Sequence, residues 1–63
     1  MIEAINLHDR QALLTTGEVI PITELFDDEG DETDDPDEAV AFVAGRPGLW
    51  INALVDDYVA TFH

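Results

Sequence analysis

The chain has 63 residues, with fifteen acids, two arginines, no lysine, no cysteine and a formal net charge of -13. Folding at this size removes only about 60% of the unfolded surface from water, so the core is thin and the chain is a single small domain or part of an assembly. The charge excludes nucleic acid and anionic membrane as direct partners, because the counterion release that drives such binding needs clustered Lys and Arg, and it favours a basic protein surface instead.

Hydrophobic content of 46% separates the chain from acidic disordered tails, which are poor in apolar residues. Without cysteine there is no disulfide to support the core, which agrees better with an intracellular protein than with a small secreted one. No apolar run approaches the roughly 18 residues of a membrane span, and residues 1–7 lack the basic end and long apolar region of a signal peptide. The expected location is cytoplasmic. Adaptation to high intracellular salt is a second explanation of the charge balance.

In chain order, residues 1–7 alternate weakly around Ile5 and Leu7 and predict a short edge strand or an ordered arm. From Gln11 to Thr23 the pattern predicts a hairpin turning at Thr16 and Gly17. A two-residue loop there puts Thr15 opposite Glu18, Leu14 opposite Val19, Leu13 opposite Ile20 and Ala12 opposite Pro21, with Leu13, Ile20 and Ile22 on one face. Pro21 has no N–H for a ladder, so its strand is expected at an edge or bulged. Leu25 or Phe26 is expected to anchor the start of the next segment to the core.

Residues 27–38 read Asp-Asp-Glu-Gly-Asp-Glu-Thr-Asp-Asp-Pro-Asp-Glu, with a carboxylate on nine of twelve and no apolar side chain. Like charges this dense cannot be desolvated together, so the segment lies in water or against something positive. Beyond it two readings compete. Asp35-Pro36-Asp37-Glu38 has a helix start's cap, proline and first-turn acids. Trp50, Ile51, Leu54, Val55, Tyr58, Val59 and Phe62 also share a face at helical spacing, so one reading is α+β, with one or two helices within residues 36–62.

The other reading makes a second hairpin around Pro47-Gly48, which suit the two central places of a type II turn. It pairs Arg46 with Leu49, Ala44 with Ile51, Phe42 with Ala53 and Val40 with Val55, and sets Trp50 over Gly45. Val, Phe, Trp and Ile favour strands, so the second hairpin is preferred. The expected fold is mainly β, a small antiparallel sheet of two hairpins joined by the acidic loop. Residues 56–63 are expected to coil into a helical turn that packs Tyr58 and Phe62 on the sheet.

Functional candidates concentrate in the loop: Asp27, Asp28, Glu29, Asp31, Glu32, Asp34, Asp35, Asp37 and Glu38. A calcium loop needs acids at positions one, three and five before a glycine at six, and placing Gly30 there puts Leu25 at position one. No metal or other cofactor is expected. If extended, the run carries a charge roughly every 4 to 5 Å, near the ~3.4 Å spacing of phosphates on one DNA strand. Glu3, Asp9, Glu18, Glu24, Asp56 and Asp57 enlarge the field if they share its face.

His8 and His63 are expected on the surface, and Trp50 in the core. The chain has neither Ser nor Cys, and a thin domain offers little room for an apolar pocket that raises a carboxyl pKa, so no enzyme is expected. The leading expectation is a binding protein that presents carboxylates to a basic partner, in one form as a nucleic-acid mimic or inhibitor. The alternative is a structural or assembly protein that forms a homo-oligomer through its apolar face.

Overall fold

The computed structural model describes residues 1–58. Five strands, β1 Ile2–Asn6, β2 Gln11–Leu14, β3 Val19–Phe26, β4 Ala41–Arg46 and β5 Leu49–Leu54, form one antiparallel sheet in the order β1-β2-β3-β4-β5. A single 3-10 turn, η1 (Val55–Tyr58), follows β5 and lies against both β1 and β5. The fold is mainly β, as expected, and no described helix is long and apolar enough to cross a membrane.

The second hairpin has the expected register, Arg46 with Leu49, Ala44 with Ile51 and Phe42 with Ala53, and the Val55 N–H donates to the Val40 carbonyl at 2.8 Å. The helical reading of residues 36–55 is thereby set aside. Phe42 and Ala44 point into the core, while Ile51 and Ala53 pack half-buried against it.

The first hairpin differs by one residue. Leu13 pairs with Val19, Ala12 with Ile20 and Gln11 with Pro21. Its loop is three residues long: the Leu14 carbonyl accepts from the Gly17 N–H at 2.9 Å, the Leu14 N–H donates to the Glu18 carbonyl at 2.8 Å, and Gly17 sits at a φ of 93°. This is a tight turn closed by a left-handed residue, which glycine adopts without a Cβ penalty. A one-residue shift exchanges the faces of a strand. Ala12 and Leu14 are therefore the buried pair, and Leu13 is only half-buried.

Two register shifts shape the sheet, one between Ile2 and Ala4 and one between Ile22 and Glu24. Each changes the apolar spacing from two to three, so that Ile2 and Ile5, and Ile22 and Leu25, all face inward. The second bulge bends β3, whose first part pairs with β2 and whose second part pairs with β4. Pro21 is not on an edge strand. The neighbouring Ile22 N–H points to β2, donating to the Arg10 carbonyl, so the proline nitrogen faces the β4 side, where pairing starts only at Ile22.

The core is Ile2, Ile5, Ala12, Leu14, Ile20, Ile22, Leu25, Ala39, Phe42 and Ala44. Full burial of a large member such as Phe42, Ile5, Ile20 or Leu25 contributes about 1.5–3 kcal/mol. Tyr58 of η1 stacks edge-on against Phe42 at 6.0 Å, as expected for the start of the terminal turn; Phe62 lies outside the described residues. Buried Asn6 is satisfied by Asp9, whose carboxylate accepts from Asn6 Nδ2 and whose N–H donates to Asn6 Oδ1.

Trp50 is not core: it is 60% exposed on the outer face of β5. Its ring covers Gly45, as the pairing predicted. A Cβ placed on Gly45 would lie 2.7 Å from Trp50 Cε3 and would also meet the Leu49 carbonyl oxygen. Gly45→Ala should therefore lower stability by about 1–3 kcal/mol, the range for overpacking, measured by urea unfolding. Because the clash includes backbone, adding Trp50→Ala should restore only part of it.

Candidate functional site

The acidic loop is a folded element. Leu25, fully buried, holds its start, and Ala39, in the core, holds its end. At the first turn the Asp27 N–H donates to the Asp31 carbonyl at 2.9 Å, and the Gly30 N–H donates to the Asp27 carbonyl at 3.1 Å, with Gly30 at a φ of 85°. This is the bonding pattern of the Leu14 to Glu18 loop, repeated on acidic residues. Asp27 adds a second layer, its Oδ1 accepting from the N–H groups of Glu29 and Asp31 at 2.9 and 3.0 Å. Glu32 then bridges back to Phe26, and the Thr33 N–H donates to the Leu25 carbonyl at 2.8 Å.

The second half turns once more. Thr33 Oγ1 accepts from the Asp35 N–H, Asp35 Oδ1 accepts from the Asp37 N–H, and the Asp35 carbonyl accepts from the Glu38 N–H at 3.1 Å. The helix-start chemistry is used, yet it makes one turn only, because the Val40 N–H is already committed to the Phe26 carbonyl at 2.8 Å.

Asp28, Glu29, Asp31, Glu32, Asp34, Asp35, Asp37 and Glu38 are exposed, and Asp27 is half-buried in its structural role. Two meet positive groups. Arg10 Nη2 lies 3.5 Å from Asp34 Oδ1, and His8 Nε2 lies 3.8 Å from Asp37 Oδ1, an ion pair when the imidazole is protonated. Arg10 holds a φ of 55°, a left-handed conformation that costs a non-glycine residue about 1–2 kcal/mol. Asp28, Glu29, Asp31, Glu32, Asp35 and Glu38 have no ion-pair partner among the described residues.

The loop is not extended, so the single-file charge spacing of a DNA strand does not apply; its carboxylates are gathered by two turns. Nor do all the outlying acids join it. Glu18 sits at the far end of β3 and is bound by Arg46, whose Nε and Nη2 donate to the two carboxylate oxygens. Asp9 is engaged with Asn6. Glu24 instead stands on the outer face of β3, and Asp57 lines a groove on the same side. No group of three or more His, Asp or Glu among the described residues is placed to hold a metal ion.

The side-chain hydrogen bond from Arg46 holds the Glu18 carboxyl below its ordinary value, and Glu18 raises Arg46 in return. With its folded pKa below the unfolded one, this tie contributes fully above the unfolded carboxylate range and is lost as pH falls through the folded value. Glu18→Gln should therefore narrow the stability gap between neutral and acidic pH in denaturant melts. Asp27→Ala should free the loop, raising amide exchange at Glu29 and Asp31 and costing about 1 kcal/mol, whereas Asp27→Asn keeps the accepting oxygen and should retain most of the protection.

Compared with known proteins, the chain matches no family model, no curated protein and no solved structure.

Proposed function

We propose that this protein is a non-enzymatic binding protein that presents the 27–38 loop to a basic surface on another protein. The observation that supports it most is the loop's construction. Backbone and Asx hydrogen bonds hold it in shape, while six of its carboxylates point to solvent without a counter-charge among the described residues. Ordering like charges before binding spares the partner that entropic cost and steepens the field it meets. Occupying a basic nucleic-acid-binding groove is a narrower form of the same proposal; the folded-back loop would fill such a groove as a cluster of charge, not as a strand.

A structural role through self-association is the second reading, favoured by the exposure of Trp50. The net charge of -13 opposes it, since two copies repel.

The test is titration with a lysine- and arginine-rich peptide. Affinity should fall steeply from low to physiological salt, mainly through the association rate. Replacing Asp28, Glu29, Asp31 and Glu32 by Asn or Gln should weaken binding about tenfold or more, with the melting temperature unchanged or raised. Unchanged affinity in that variant overturns the proposal.

A further inference from the structure

The outer face of β3, β4 and β5 is built in rows: Phe26, Ala41 and Leu54 form one, Glu24, Val43 and Asn52 the next, and Gly45 with Trp50 the third. Cross-strand partners point to the same side of a sheet, so these residues share one surface, opposite the buried Leu25, Phe42 and Ala44. Trp50 and Leu54 are 60% and 56% exposed. Between the rows runs a shallow groove of about 400 Å³ to whose lining Phe26, Val43, Leu54 and Asp57 contribute. Among the described residues, the charged groups within these rows and in the groove's lining are acidic, Glu24 in the rows and Asp57 at one margin, and the acidic 27–38 loop begins at the residue after Phe26.

An aromatic and aliphatic patch with a rim of one sign is complementary to a segment with apolar residues on one side and cations at their borders. A second copy of this chain is a poor fit, because a two-fold contact through this face sets acidic rim against acidic rim. We propose that the outer face of β3–β5 and its acidic rim form one docking surface for a basic amphipathic segment of a partner protein. The apolar side chains of that segment seat on Phe26, Val43, Trp50 and Leu54, and its Lys or Arg residues meet Glu24, Asp57 and the loop. The inference rests on the loop's reading as a ligand for basic protein and adds the apolar anchor that gives it specificity; tryptophan is among the side chains that most often dominate such contacts.

Trp50 is the only tryptophan, so its emission reports on this face. Two peptides of equal length and charge serve as probes, one of Leu and Lys with Leu at helical i, i+3, i+4 and i+7 spacing, the other with Asn in place of each Leu. The Leu/Lys peptide should shift Trp50 emission to the blue and bind about tenfold or more tighter than the Asn/Lys peptide. Val43→Ser with Leu54→Ser should bring the first affinity down to the second and leave the second unchanged. Equal binding of both peptides with Trp50 emission unmoved overturns the docking face while the loop's role survives. Binding of neither peptide overturns both. A dimer by light scattering, whose dissociation on dilution shifts Trp50 to the red, assigns the face to a second copy and also overturns the proposal.

Discussion

The structure depends on closing β3 against β4 across residues 27–40, the most highly charged part of the chain. Drawing its ends together costs loop entropy and crowds like charges. Opposing this are the backbone ladder from Phe26 with Ala41 to Ile22 with Ala44, and the burial of Leu25 and Phe42 behind it. The bend in β3 makes the arrangement possible, because one strand then serves β2 with its first residues and β4 with its last. Every carboxylate of the loop is thereby left outside a core to which the 27–40 connection contributes only Ala39.

The two arginines show how the few cations are used. Arg46, at the end of β4, is bound to Glu18 in the β2–β3 turn, tying the two hairpins together far from the loop. Arg10 sits in a strained backbone position with its guanidinium near Asp34, joining the β1–β2 turn to the second half of the loop. Exposed pairs of this kind add little stability individually. Their effect on the field is larger: both arginines lie beside acids, and the first half of the loop keeps its charge.

The second hairpin is legible in the sequence because Pro47-Gly48 fixes both turn and register, and the inner-face pairs beyond Arg46 with Leu49, namely Ala44 with Ile51 and Phe42 with Ala53, are apolar. The first is not fully legible. Gln-Ala-Leu-Leu-Thr has no clean alternation, so Leu13 and Leu14 compete for the core, and Thr16-Gly17 serves a two-residue loop as readily as the last places of a three-residue one. The bulges have a signal in the spacing of three between Ile2 and Ile5 and between Ile22 and Leu25. Hydrophobicity alone argues for Trp50 in the core, although its pairing with Gly45 already places it on the other face. In the loop, density of charge hides ordinary turn chemistry: an Asp three residues before Gly30, and Asp-Pro before Glu38. Which acids share a surface depends on how far β3 bends, and the spacing of three that marks its bulge does not set that angle.

Because each strand pairs with its neighbour in sequence, most contacts form over short chain separations, a topology associated with rapid folding. The step that resists is the union of the two hairpins, since it must compress the anionic connector. Counterions relieve that compression. Added salt should thus speed the chain's own assembly while weakening the proposed hold on a cationic partner, so the charge proposed for recognition is also the main kinetic burden of the fold.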